Sequence, residues 1–202
     1  GPERGAGGDQ EMLKMIKPVG SDELKPLFVY DPDQHHRLMR EAESLPSVVI
    51  SSQAAGNAVM MGGGYFTPLK GFMNVADAMG ACEKMRLTDG SFFPVPVMCL
   101  LEDVTAISGA SRIALRDPNM DGHPVLAVMD VEAIEEVSDE QMAFMTEKVY
   151  RTSDGEHPGV STFNSQGRHA VSGSIQVLHF SYFQDDFPDT FRTAVEIRHE
   201  IA

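Results

Sequence analysis

Cysteine is scarce: a chain of 202 residues carries two, Cys82 and Cys99. They form no CxxC pair and no His/Cys cluster, so metal-ligand spacing is missing. Two reduced, buried thiols of a cytoplasmic protein are expected, with a single disulfide between them as the other reading. Basic side chains are also few. Acidic residues number 30 against 16 Lys and Arg, giving a formal charge of -14, and no Lys/Arg-rich run occurs. A chain this acidic repels phosphate backbones and anionic membrane surfaces, so neither nucleic acid nor membrane is expected as a partner. No run approaches the ~18 apolar residues of a membrane span. No n-region precedes an apolar h-region, so no secretory signal is expected.

Hydrophobic residues make up 42% and charged residues 23%, which is ordinary globular usage. The length fits one large domain, or one domain and the start of another. It suffices to bury a core without disulfides or metal. Residues 1–11 (GPERGAGGDQE) are Gly-rich and polar, and read as a disordered tail or a remnant of expression.

Along the chain, Pro18 and Pro26 predict an extended entry over residues 12–27. Residues 31–45 read as an amphipathic helix with Leu38, Met39, Ala42 and Leu45 inward, stopped by Pro46. SVVISS (residues 47–52) reads as a strand. Gly62, Gly63 and Gly64 break the pattern, and an aromatic, Pro- and Gly-punctuated loop runs over residues 65–73. So many large apolar groups in a loop must dock against something. Asn74 caps a helix with Val75, Ala78, Met79 and Cys82 on one face. Residues 93–101 read as a strand, with Pro94 and Pro96 favouring an edge.

Residues 112–115 and 124–129 are apolar runs joined by DPNMDGH, a hairpin with a long tip. Ser138 and Gln141 have capping-box spacing, and Met142, Met145 and Val149 share a helical face ending near Lys148 and Arg151. Residues 171–180 form a last strand, with a bulge at Gly173. Residues 183–189 are an acidic connector. Residues 190–202 have a helical set of Phe191, Ala194, Val195, Ile197 and Ile201.

Several motifs invite chemistry and read more simply as structure. The glycine triplet leads into Tyr-Phe-Thr-Pro-Leu rather than a helix with Lys-Ser/Thr, so a backbone turn is expected, not a phosphate loop. The histidines, at 35, 36, 123, 157, 169, 179 and 199, show neither HxxxH nor HExxH spacing. His157-Pro158-Gly159-Val160 reads as a turn. Asp185 and Asp186 are adjacent and show no convergence on a common point. No GxSxG elbow is present.

Two of these stretches carry a resemblance to a known family. Gly63 through Met73 (GGYFTPLKGFM) resembles the G-x-[FWY]-[ST]-P-L-x-G-F-M loop of the ATP sulfurylases, the sulfate adenylyltransferases. Glu156-His157-Pro158-Gly159-Val160 is similar to their HPGV turn, and Ser172-Gly173-Ser174-Ile175 follows at the expected distance. The resemblance covers nearly the whole chain. It implies an α+β fold: a PUA-like, β-rich N-terminal domain at 12–182 with a mixed or antiparallel, pseudo-barrel sheet and short helices. It implies a connector and the first helix of an α/β nucleotide-binding domain at 183–202, with the rest of that domain lying downstream. The intact enzyme joins ATP and sulfate to give adenosine 5′-phosphosulfate and pyrophosphate, reversibly and with Mg²⁺, in the cytoplasm and as a homo-oligomer.

The family's catalytic motifs are Gln-x-Arg-Asn, His-x-x-His and Gly-Arg-Asp. None occurs in this chain. Gln166-Gly167-Arg168-His169 departs from the first in its last residue and precedes the final strand, so it reads as a loop. No catalytic, cofactor-binding or metal-ligating residue is therefore assigned, and ATP and Mg²⁺ are expected of the intact enzyme rather than of this stretch. The aromatic loop and the end of the last strand are candidates for packing against the catalytic domain. The other readings are a stand-alone PUA-like binding module, against which the charge argues, and a structural or oligomerisation domain.

Overall fold

The computed structural model describes residues 24–152 and 154–180; the expectations for residues 1–11 and 183–202 lie outside them. Asp31 caps the first helix, α1 (Pro32–Ala42), by accepting the Asp33 N–H, and Pro32 supplies the fixed φ of a first helical position. A short strand, β1 (Ser47–Val49), follows. The Ser51 hydroxyl then accepts the Ala54 N–H and starts α2 (Ser52–Gly62). Next come β2 (Gly71–Phe72), α3 (Val75–Lys84), β3 (Leu100–Leu101), a 3-10 turn (Thr105–Ile107) and β4 (Arg112–Arg116). They are followed by β5 (Val125–Glu136), α4 (Asp139–Tyr150), α5 (Pro158–Ser165) and β6 (His169–Val177).

The described strands form one six-stranded sheet in the order β1-β4-β5-β6-β2, with β3 also on β6. The β1–β4 pair is parallel and the others are antiparallel. This is the mixed sheet of the expected α+β class, left open rather than closed into a barrel. Ala114 and Val128 face α1, where they meet Leu38 and Ala42. Ile113, Leu115 and Met129 face a larger core with Ala54, Ala55, Ala58 and Val59 of α2. Arg112 ties α1 to the sheet, donating to Glu41, Asp130 and Gln176. No helix among the described residues is long and apolar enough to cross a membrane.

Several boundaries differ from the sequence reading. The strand expected over 47–52 ends at Val49, because Ser51 caps a helix that the Ala- and Gly-rich run from Gln53 onward does not advertise. Of the strand expected over 93–101, Leu100–Leu101 alone pairs regularly; Pro94 and Pro96 have no N–H to give a ladder. The capping box at Ser138 and Gln141 is present in full. Met142 and Met145 are buried, while Val149 is exposed. Met85 and Arg151, at the ends of α3 and α4, both adopt left-handed backbone.

The expected irregularity at Gly173 exists, but its extra residue sits on the opposite strand. Pairing runs Val131↔Gly173 and then Ala133↔Ser172, so Glu132 of β5 is the residue without a counterpart. Gly173 has φ 152, and a Cβ there would lie 1.9 Å from the Asp130 carbonyl oxygen. On its other side, a Cβ at Gly71 of β2 would lie 1.8 Å from the Gly173 carbonyl oxygen.

Phe28 stacks on Phe180 with ring centroids 4.3 Å apart, and its edge meets Tyr30 at 4.8 Å. His35 Nε2 lies 2.6 Å from the Leu178 carbonyl oxygen, so the ring is the donor there and α1 is pinned to the strand's end. Burial holds the neighbouring His179 below its ordinary value of 6.5, with Asp117 opposing and His35 reinforcing the shift.

Two outcomes are expected. Gly71→Ala and Gly173→Ala should each cost about 3 kcal/mol in urea unfolding, through overpacking and, at Gly173, backbone strain. Gly122→Ala, which meets open space, should cost about 1 kcal/mol for its positive φ. The second concerns pH. The folded chain resists protonating His179, so the unfolded chain takes up the proton first. Stability should be full above 6.5 and fall as pH drops through the depressed folded value. His179→Gln should flatten the urea midpoint measured across that window.

Candidate functional site

The glycine triplet closes α2 rather than opening a helix. Gly62 is the last helical residue, Gly63 is the cap, and Gly64 turns with φ 81. A helix C-terminus presents carbonyl oxygens and the negative end of the dipole, which is the wrong polarity for phosphate. After the turn, the Thr67 hydroxyl donates to the Gly64 carbonyl at 2.7 Å and accepts the Lys25 N–H at 2.9 Å. The Thr67-Pro68 peptide is cis. Leu69, Phe72 and Met73 are buried in the main core, and Phe66 meets Phe93 edge to face at 5.8 Å. The loop thus docks on this chain's own body. Pro68 and Lys70 are exposed and Tyr65 and Phe66 half-buried, which is what it retains for contact with any further domain.

His157-Pro158-Gly159-Val160 is the start of α5, where the sequence suggested a turn. His157 is the N-cap, its Nδ1 accepting the Gly159 N–H at 3.1 Å, and Pro158 takes the first helical position. Nδ1 is therefore unprotonated in this arrangement. Gly159 has no room for a side chain: a Cβ would stand 2.4 Å from the Tyr150 ring. That ring also lies 5.7 Å from the His157 imidazole, centroid to centroid, and Val160 enters the core. Each residue of the motif has a structural task. The periodicity of so short a helix is too weak to announce it.

Gln166-Gly167-Arg168-His169 leaves α5 and enters β6, before and at the first residue of the last strand. Gln166 borders an open cleft of about 660 Å³ lined also by β1, Ser51 to Gln53, the end of β3, Glu102, Asp103 and Thr162. Its amide is fully committed: Oε1 accepts the Ser51 hydroxyl at 2.6 Å, and Nε2 donates to Gln53 Oε1 at 3.0 Å and to the Phe163 carbonyl at 3.2 Å. Arg168 turns away, its Nη1 2.8 Å from the Asp139 carboxylate, close enough to pair though off-line for a hydrogen bond. Among the described residues, the lining includes two carboxylates and no Lys, Arg or His. Asp103 is held below the usual carboxylate range by the hydroxyl and N–H of Thr105. Such a cleft repels sulfate and nucleotide phosphates.

A second groove, about 570 Å³, lies between the ends of α3 and α4 and the Pro94–Val95 loop, with Met85, Val95 and Val149 exposed along it. Cys82 lines it. Burial pushes this thiol up to about 11, and that of Cys99 to about 12, so both are protonated and poor nucleophiles at neutral pH. Both are free, as expected. Among the described residues, no group of three His, Cys, Asp or Glu side chains gathers as a metal site would require.

A family model described as PUA-like domain matches residues 16–180. The sulfate adenylyltransferase of Allochromatium vinosum is 76% identical over 187 residues, covering 93% of this chain and 47% of that protein. That of the Riftia pachyptila sulfur-oxidizing endosymbiont is 75% identical over 187 residues, covering 93% and 42%. The hexameric APS kinase from Thiobacillus denitrificans aligns with a TM-score of 0.57 at 25% identity, over 81% of this chain and 27% of that one. The chain spans about half the length of the curated relatives it matches. The open mixed sheet, the helices packed on both its faces and the match across nearly all the described residues lead to one assignment: the chain belongs to the PUA-like domain family.

Proposed function

We propose that this chain is the N-terminal, non-catalytic part of a sulfate adenylyltransferase, a nucleotidyltransferase of sulfur metabolism working in the cytoplasm. The observation that carries the reading is 76% identity over 187 residues to a protein of that name. The intact enzyme would convert ATP and sulfate to adenosine 5′-phosphosulfate and pyrophosphate, with a sulfate oxygen attacking the α-phosphorus in line. Such a step depends on positioning and charge neutralisation. In this reading residues 12–182 are the PUA-like domain and residues 183–202 lead into the catalytic domain, its first partner. The hexameric state of the structural relative supports a homo-oligomer.

The Gln166 cleft does not fit ATP or Mg²⁺. Among the described residues it has no cationic donor for phosphate, and Asp103 is already engaged by Thr105. No step of the reaction is therefore derived from these residues. What they supply is shape: the aromatic loop fastens α2 to β6, and the His-Pro-Gly-Val start fastens α5 to α4. A stand-alone binding module for RNA would need Lys and Arg where this chain carries a surplus of acids.

Incubated with ATP, sulfate and Mg²⁺, the 202-residue chain should release no pyrophosphate above background, while the longer polypeptide that contains it should. A parent-like rate from the short chain would overturn its non-catalytic role, and an inactive longer polypeptide would overturn the assignment itself. A scaffold role for the His-Pro-Gly-Val start predicts a specific split. Gly159→Ala should cost about 1–3 kcal/mol of stability through overpacking against Tyr150. His157→Asn, which retains a cap, should change stability by under about 0.5 kcal/mol and leave turnover of the longer polypeptide within about twofold.

A further inference from the structure

The Gln166 cleft has one property that its side chains do not reveal: two sheet edges border it. In the parallel ladder with β4, the Ala114 N–H reaches the Pro46 carbonyl and the Ile50 N–H reaches the Arg116 carbonyl. With Ser47↔Ala114 and Val49↔Arg116 as register partners, Val48 is the residue whose backbone faces β4. The N–H and C=O groups of Ser47 and Val49 point the other way, into the cleft. Neither residue's backbone groups bond to any other described residue.

Across the cleft, the Val171 N–H reaches the Cys99 carbonyl, and Leu100↔Ala170 and Leu101↔His169 are partners. That pattern turns the Leu100 backbone away from β6. Among the described residues, the seam left open in the sheet is therefore bordered by unpaired polar backbone on both sides. An edge of this kind is a template for a further strand.

The chemistry of the cleft selects what could lie there. Glu102 and Asp103 stand at the end of β3, both exposed, and no cationic side chain among the described residues lines the space. Val49 is 44% exposed beside the edge, so an entering strand meets one apolar side chain and two carboxylates. An anionic small molecule is excluded by charge. The serine and glutamine side chains on the floor are bound to one another and to Asn119 and leave little for a neutral polyol.

We infer that the β1 edge is a β-augmentation site for an extended segment of a partner protein in which lysine or arginine alternates with β-branched residues. The backbone of that segment pairs with Ser47 and Val49, its β-branched side chains cover Val49, and its basic side chains reach Glu102 and Asp103. The reading is independent of the proposed enzymatic role.

The test uses the whole 202-residue chain and a fluorescein-labelled, end-blocked seven-residue peptide of alternating lysine and valine. Anisotropy at low salt should show saturable binding. E102Q/D103N should weaken it by about tenfold, the reach of two exposed ion pairs. The same peptide N-methylated at alternate residues should not bind. Val49→Pro removes a donor that β4 does not use, and should abolish binding while the circular dichroism spectrum is retained. Because that variant could misfold, amide exchange on the wild-type chain is the second readout. The Val49 amide should exchange fast in the free chain and slow down when the peptide is added.

Four results overturn the inference. One is no saturable binding. Another is equal binding by a lysine-glycine peptide of the same charge, which would mean charge alone. The third is a Val49 amide already protected in the free chain, which would place another segment of this chain on the edge. The last is protection that grows with protein concentration, which would place a second copy there.

Discussion

Three stretches of backbone meet where β2 crosses β6 opposite the bulge of β5, and the fold depends on the absence of any Cβ at Gly71 and Gly173. The Asp130 carbonyl closes on Gly173 from one side while the Gly173 carbonyl closes on Gly71 from the other. The bulge at Glu132 sharpens the local twist of β5, and the approach of β2 sets where the aromatic loop leaves α2 and lands. The Lys70 carbonyl accepts the Ile175 N–H, so the loop is clamped immediately before this crossing. Movement at any of the three strands would shift the loop, α2 and β6 together.

The acidic surplus has a structural side that a net charge conceals. Carboxylates satisfy backbone donors at one turn after another: Asp31 for Asp33, Asp89 for Ser91, Asp103 for Thr105, Asp117 for Asn119 and Asp154 for Glu156. Glu135 reaches across from β5 to accept the Val75 N–H at the start of α3, where negative charge also complements the helix dipole. Part of the charge that makes the chain unfit for phosphate is thus employed in closing turns and capping helices. The two roles coincide: the carboxylates that cap turns and helices also make this body repel anions.

Legibility in the sequence followed local chemistry. The caps at Asn74 and Ser138 and the long-tipped hairpin could be read directly, because each depends on residues a few positions apart. The helix after Ser51 could not: it buries Ala54, Ala55, Ala58, Val59, Met61 and Gly62, a set of mostly small residues spread too evenly around the helix to show a period. The bulge was visible as a glycine, yet its extra residue lies on a strand some forty positions away, and no local pattern states such a pairing. The same holds for the candidate site. The two family-like motifs were visible, but that Thr67, Gly159 and Gln166 are each spent on packing or internal hydrogen bonds is a property of tertiary contacts. The cleft itself is made by segments around residues 50, 100 and 165 and has no sequence signature.

The left-handed ends of α3 and α4 have a consequence for the protein's tolerance of change. Met85 and Arg151 occupy a conformation that glycine adopts freely and other side chains adopt at a cost. Both border the same surface groove, and Arg151 directly follows Tyr150, which packs on His157 and Gly159. Among the described residues, two of the three non-glycine positions with positive φ sit at this corner, and the third, His123, lies in the tip between β4 and β5. At Met85, whose side chain is exposed, sequence drift or deliberate thermostabilisation can relieve that strain without touching the core.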